Sequence, residues 1–336
     1  MTTQTMTTPH ARPRDIDNTL LRSWALPMPS NEGDKEQRGH VLILGGSREM
    51  PGAVILAATA AMRAGAGKLT IATGNSVAQL VALAIPESRV LGLAENEAGG
   101  FTVEAVAALD PLADKINAIL VGPGMRYEAA TARLVHALLP RLEGSKTSVL
   151  LDAEAMGAIL QPPEESSDKA ESGVNAPFRF NVPVLLTPHA GEMAHLTGID
   201  KDEILAAPDR HAVEASARWN AVVALKGART VIAAPGGERW QHVGGNIGLA
   251  TSSSGDVLAG IIAGLAARGA DLAQAVSWGV ALHARAGERL AERFGRLGYL
   301  ARELPDEIPS LLEQAAGDPA DSATGLSGNI AGGVKG

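Results

Sequence analysis

The chain has 336 residues, 46% of them hydrophobic and 3% aromatic, with a formal net charge of -8 and no cysteine. That length and apolar content suffice for one large α/β core, while an acidic, aromatic-poor chain lacks the basic stripe and stacking side chains of a nucleic-acid binder. Disulfides, thiolate metal sites and a cysteine nucleophile are excluded, and with no basic-then-apolar leader the chain is expected in the cytoplasm.

In chain order, residues 1–34 are rich in Thr, Pro and Arg and predict a disordered extension. A strand at 41–44 runs into Gly45-Gly46-Ser47, and Pro51 opens a helix that Gly65 closes. The longest uncharged run, 69–86, approaches membrane-spanning length. Thr73-Gly74-Asn75-Ser76 and Gln79 divide it into strand, turn and helix, so no membrane segment is expected. Further short apolar strands follow at 118–121, 148–151, 184–186 and 222–225, separated by helical stretches. This alternation predicts a three-layer αβα sandwich on a mainly parallel sheet. Between 162 and 176 a run of Pro, Glu, Ser, Asp and Lys predicts a mobile surface insertion. After Leu225, strands at 230–234 and near Trp240 around Pro235-Gly236-Gly237 predict an antiparallel meander at the sheet edge. Helices at 257–267, 272–293 and 305–314 complete a domain spanning 35–316, and residues 317–336 predict a disordered tail.

The chemistry concentrates where Thr251-Ser252-Ser253-Ser254-Gly255-Asp256 meets the apolar helix beginning at Val257. Unpaired N–H groups and the positive end of the dipole make such a helix start an anion cradle, which small residues let a phosphate approach. Asp256 alone has two readings, a helix cap or a base beside the phosphate, and the cap is the commoner. The strand ends shift the balance. Gly45-Gly46-Ser47, Thr73, Gly122-Pro123-Gly124, Asp152, Thr187-Pro188-His189 and Lys226-Gly227 each follow a strand directly, on the edge where open α/β sheets bind ligands. Singly, each is ordinary turn or cap chemistry. Gly65-Ala66-Gly67-Lys68 lacks the P-loop spacing, Gly45-Gly46-Ser47 lacks a dinucleotide fingerprint, and His189, Glu192 and His195 lack zinc-protease spacing.

From about Lys35 to Gln314 these segments, together with Leu225-Lys226-Gly227-Ala228-Arg229-Thr230 and Ser254-Gly255-Asp256-Val257-Leu258-Ala259-Gly260, resemble the ADP/ATP-dependent NAD(P)H-hydrate dehydratases of the ribokinase-like superfamily. The resemblance implies dehydration of hydrated NAD(P)H, (S)-NAD(P)HX, by phosphorylation of its ring hydroxyl at the expense of ADP or ATP. It implies Asp256 as base, Lys226, Gly227, Ala228, Arg229, Thr230 and Gly255 at the nucleotide, and Ala53, Gly124, His189 and Asp256 at the hydrated cofactor. Glu192 would act on Mg2+ through water, His189 standing where the superfamily's Asn-x-x-Glu motif has asparagine. Gly122-Pro123-Gly124-Met125-Arg126 departs from the family's Gly-Pro-Gly-Leu-Gly, placing bulk and charge at Arg126 where a small residue would face substrate. The family's usual N-terminal epimerase domain has no counterpart before the match, so a separate epimerase is expected, as is a homo-oligomer. A vitamin-precursor kinase of the same superfamily and a non-enzymatic nucleotide-binding regulator are the alternatives.

Overall fold

The computed structural model describes residues 12–30, 32–161 and 178–316. Its elements are β1 (Arg14–Asp15), α1 (Asn18–Ser23), β2 (His40–Leu44), α2 (Pro51–Arg63), β3 (Lys68–Gly74), α3 (Ala78–Ala84), β4 (Arg89–Leu93), β5 (Ala118–Val121), α4 (Glu128–Leu138), β6 (Ser148–Leu151), β7 (Val184–Leu186), α5 (Ala190–Thr197), α6 (Lys201–Ala206), α7 (Pro208–Trp219), β8 (Val222–Leu225), β9 (Arg229–Ala233), β10 (Arg239–Val243), α8 (Ser254–Ala267), α9 (Leu272–Phe294) and α10 (Leu304–Ala316). The strands form one sheet in the order β1-β10-β9-β8-β7-β6-β5-β2-β3-β4. Pairing is parallel from β4 to β8 and antiparallel across β8, β9 and β10, which is the expected edge meander.

Alternation along each strand divides the core into two apolar layers. Val41 and Ile43 face α2, α8, α9 and α10, whereas Leu42 and Leu44 face α4, α5 and α7. Such strands are buried on both faces, which is why they read as continuous apolar runs. The chain reverses its winding between β2 and β5, adjacent in the sheet, with α2 on one face and α4 on the other. That junction is a topological switch point, and the crevice beyond it belongs to Gly45-Gly46 and Gly122-Pro123-Gly124. No described helix is long and apolar enough to cross a membrane.

Several expectations need correction or limits. The N-terminal extension is not disordered over 12–30: β1 pairs with β10, and Leu21 of α1 is fully buried. Trp24 stacks on Trp240 with ring centroids 5.4 Å apart, and its carbonyl accepts a 2.8 Å hydrogen bond from Trp278 Nε1. A few large apolar side chains override a polar average composition. An unforeseen edge strand, β4, extends the sheet beyond β3. Finally, the connections over Val103–Lys115 and Ala153–Ile159 are 3-10 rather than α-helical, the first carrying Pro111 in its interior. The expected insertion at 162–176 and the expected tail from 317 lie outside the described residues.

Candidate active site

Two helices start side by side at the carboxyl edge of the sheet. A Cβ on Gly260 would fall 2.2 Å from the Ala57 carbonyl oxygen, and one on Gly264 would fall 2.4 Å from that of Ala61. Only glycine lets the backbones of α8 and α2 come this close. Both partners advance by four residues together, so the helices run parallel and their register brings Ala53 level with Asp256. Ala53 meets the other predicted substrate residue, Gly124, at the switch point. Gly124 holds φ +65°, and a Cβ there would fall 2.8 Å from Ala53 Cβ and 2.5 Å from the Met50 carbonyl oxygen. The Gly46 N–H donates to the Pro123 carbonyl at 2.7 Å, locking the two glycine turns together. Beneath Gly46, the buried Thr73 hydroxyl has no partner among the described residues.

The charged centre lies at the start of α8. Asp152, nearly fully buried after β6, accepts from Thr187 Oγ1 at 2.6 Å and from Lys226 Nζ at 3.2 Å through the same oxygen. Lys226 Nζ is also 3.9 Å from Glu192 Oε2 and would lie 3.7 Å from a Cβ on Gly255, so the ammonium faces the start of α8. Burial alone would lower the lysine pKa, but Asp152, Glu192 and Asp256 outweigh it and hold the ammonium above its ordinary value. Asp256 is pushed up from 3.8 to about 6, chiefly by burial and then by the charge of Asp152; a Ser253 hydrogen bond and Lys226 oppose the shift. A carboxylate poised there suits proton acceptance near neutral pH.

His189 and Glu192 build a capping box at the start of α5. His189 Nδ1 accepts from the Gly191 and Glu192 N–H groups at 3.0 and 3.1 Å, while Glu192 Oε2 accepts from the His189 N–H at 2.7 Å. Nδ1 is therefore the acceptor nitrogen, and Nε2, the donor in the neutral ring, lies 3.6 Å from Glu192 Oε1. The Lys226 N–H donates to the Pro188 carbonyl at 2.8 Å, tying the His189 turn to the end of β8. A cavity of about 330 Å3 opens here, lined by His189, Glu192, His195, Glu128 and Ala153. A larger hollow of about 810 Å3, between Asn117, Lys146, Pro183 and Ala270, opens at the opposite edge of the sheet, far from these groups.

The structure thus gathers Lys226, Gly255, Asp256, His189 and Glu192, with Ala53 and Gly124 adjoining them. Gly227 and Ala228 continue from Lys226 as an exposed turn, closed by Thr230 Oγ1, which lies 3.4 Å from the Gly227 nitrogen. Arg229 points elsewhere, into Asp209 at 2.5 Å and Gln241 at 2.8 Å. Arg126, expected to crowd the substrate, instead pairs at the rim with Glu49 at 2.7 Å, both half exposed. Sequence reasoning noted Asp152 and Thr187 as strand-end residues without giving them a role; the hub they form exists only because β6, β7 and β8 are neighbours.

An anion-receptive helix end facing a charged strand edge, on a doubly wound sheet with an antiparallel margin, is the arrangement of ribokinase-like proteins. Within that class the assignment is specific: the chain belongs to the NAD(P)H-hydrate dehydratase family, whose profile matches residues 41–310. It is 46% identical to the ADP-dependent (S)-NAD(P)H-hydrate dehydratase of Xanthomonas campestris pv. campestris, over 90% of this chain and 97% of that one. It is 38% identical to the bifunctional NAD(P)H-hydrate repair enzyme of Moorella thermoacetica over 87% of its own length, spanning only 53% of that longer protein. The crystal structure of the Bacillus subtilis ADP/ATP-dependent NAD(P)H-hydrate dehydratase, co-crystallised with ATP/Mg2+, superposes with a TM-score of 0.73 at 30% identity, over 90% of this chain and 98% of that one.

Proposed function

We propose that this chain converts (S)-NAD(P)HX to NAD(P)H in a nucleotide-dependent dehydration, with ADP or ATP as phosphoryl donor. Water is a poor elimination product from the hydrated ring because hydroxide leaves badly. The ring hydroxyl therefore attacks the terminal phosphorus of the nucleotide, Asp256 takes the hydroxyl proton, and the nucleotide departs one phosphoryl group shorter. The ring nitrogen lone pair then expels phosphate, and loss of a proton from the adjacent ring carbon restores the reduced nicotinamide. The observation that carries this reading is the placement of Asp256 in the first turn of α8, one residue from the glycine whose Cβ position lies 3.7 Å from Lys226 Nζ.

The remaining roles follow the geometry. Lys226 and the N–H groups of Gly255 and Asp256 would offset charge on the transferring phosphoryl group. The exposed turn at Gly227 and Ala228, held by Thr230, would meet the nucleotide, while Arg229 would support it from behind through Asp209. Ala53 and Gly124, lacking bulk, would admit the nicotinamide ring, with His189 Nε2 donating to it. Residues 35–316 form the catalytic domain in this reading, with 12–30 clasped to its edge.

Mg2+ fits the donor set without being caged by it. Asp152 Oδ2 lies outside the bonds described above and Glu192 Oε1 meets only His189 Nε2, at 3.6 Å, and both are hard oxygen donors. Among the described residues no three His, Asp or Glu side chains converge as a metal site. Glu192 and Asp152 would be the protein's donors to such an ion, which would supply positive charge to offset that of the nucleotide phosphates. The cysteine-free composition is consistent with a cytoplasmic setting. Exposed Ile247 and Leu297, on loops that meet where Gly248 abuts the Arg296 carbonyl, support a homo-oligomer, which sedimentation velocity checks.

The test is recovery of reduced-nicotinamide absorbance from hydrated NADH or NADPH with Mg2+ and ADP, ATP or no nucleotide. Recovery with a nucleotide, abolished in Asp256→Asn, is the expected result. No recovery with either nucleotide would refute the reading.

A further inference from the structure

α8 begins in an unusual way. Ser253, the residue before it, sits at φ +64° and ψ +6°, a left-handed conformation that L side chains rarely adopt, and its side chain makes no cap to the helix. A left-handed residue followed by a right-handed one turns successive N–H groups toward a common point, which is the geometry of an anion nest. Such strain persists only where neighbouring structure holds it. At this turn the holder comes from α9. His283, buried in the middle of that helix, places Nε2 3.0 Å from Ser254 Oγ and 3.1 Å from the Ser254 carbonyl oxygen.

A carbonyl oxygen can only accept, so the 3.1 Å contact is a hydrogen bond in the tautomer that carries its proton on Nε2, the one the proposal requires. Burial, the largest influence, pushes His283 down to about 4, so the imidazole is neutral at pH 7. The peptide between Ser254 and Gly255 is planar and trans, with its C=O and N–H directed oppositely. Anchoring the Ser254 oxygen toward α9 therefore aims the Gly255 N–H the other way, out of the helix start, where the Cβ position of the same glycine lies 3.7 Å from Lys226 Nζ. We propose that His283 is a positioning residue for the reaction: through the Ser254 carbonyl it fixes the strained α8 turn and aims the Gly255 N–H at the transferring phosphoryl group. This rests on the function proposed above. His283 is buried and bonded to Ser254, so it acts through that residue. It sets the direction of a donor whose stabilisation is greatest in the transition state, so its loss is read in kcat rather than in KM.

His283→Gln and His283→Met are matched in size, and only glutamine keeps an N–H donor near the Nε2 position. The assay compares kcat, the KM values for ADP and hydrated NADH, ADP affinity by calorimetry, and thermal midpoint for both variants and the parent. The expected result is a kcat loss of about 10- to 100-fold in His283→Met, KM values within about twofold, and recovery to within about threefold in His283→Gln. A folded His283→Met with parental kcat, or a folded His283→Gln as impaired as the methionine variant, would overturn the proposal. Nitrogen NMR of the histidines in the unaltered chain provides a check that needs no variant to fold. A proton on His283 Nε2 near pH 7 supports the clamp, and a proton on Nδ1 with Nε2 bare rejects it. If the parent turns over with no nucleotide, the proposed function fails, whereas the NMR result still judges the clamp.

Discussion

Gly260→Ala probes the contact on which the site's alignment depends. In an exposed helix this change would add about 1 kcal/mol of stability, because alanine loses less backbone entropy and is the better helix former. Here the new methyl carbon would stand 2.2 Å from the Ala57 carbonyl oxygen and 2.8 Å from its carbonyl carbon. These are backbone atoms of a packed helix and have no rotamer to change. Ordinary contact begins near 3.4 Å, so α8 and α2 must part by on the order of 1 Å. Overpacking of this kind costs about 1–3 kcal/mol, and against the propensity gain of about 1 kcal/mol this leaves a net destabilisation of up to about 2 kcal/mol. The separation also shifts Asp256 relative to Ala53, and a displacement on the order of 1 Å can cost about 10²-fold in rate. Urea denaturation and kcat/KM for hydrated NADH measure the two effects on one preparation. A variant more stable than the parent and fully active would show that the helices do not meet as described.

Further outcomes follow from the charges and the N-terminal clasp. Asp256→Asn should lower kcat by about 10²–10⁴-fold while retaining ADP binding, checked by single-turnover kinetics and calorimetry. Asp256 must be ionised to accept a proton, so kcat in the parent should fall as pH drops through about 6. The same shift has a stability sign. Between 3.8 and about 6 the folded state keeps a proton that the unfolded chain has lost, so this group's contribution weakens as pH rises through that window. Asp256→Asn should therefore raise the thermal midpoint at pH 8 and not at pH 4; a lower midpoint at pH 8 would mark the carboxylate as a stabilising cap instead. Lys226→Met removes the cation that lowers the Asp256 pKa, so the acid limb of the rate profile should move to higher pH. Leu21→Ala should cost about 2–5 kcal/mol in chemical denaturation, a loss that a disordered extension would not show.

The sheet was legible because buried parallel strands are short apolar runs punctuated by turn residues, as at β2, β5, β6 and β8. β4 escaped notice because Arg89 and Gly92 dilute it and an edge strand needs only one protected side. The N-terminal clasp escaped for a different reason. Composition averages over a window, whereas Leu21 and Trp24 dock as individuals among Pro, Thr and Arg. The start of α8 could be read from small residues leading into an apolar helix. Its strain at Ser253 could not, because serine carries no mark of left-handed backbone. Gly260 and Gly264 looked like ordinary helix residues, since their purpose depends on α2, some two hundred residues earlier. His283 is likewise indistinguishable from any core histidine until α9 is laid against α8.

The clasp also bears on the order of assembly. Arg14 and Asp15 pair with Trp240 and Gln241, so a segment made early can complete its only strand pairing after more than two hundred further residues have emerged. Contacts so distant along the chain form slowly, because a long loop must close before they yield any energy. During that interval β10 presents unpaired backbone groups at the margin of a large sheet, with Trp240 uncovered beside them. A partner strand from another nascent chain could occupy that place first, so yield of folded protein should depend on the integrity of residues 12–30 more steeply than the stability of the finished molecule does.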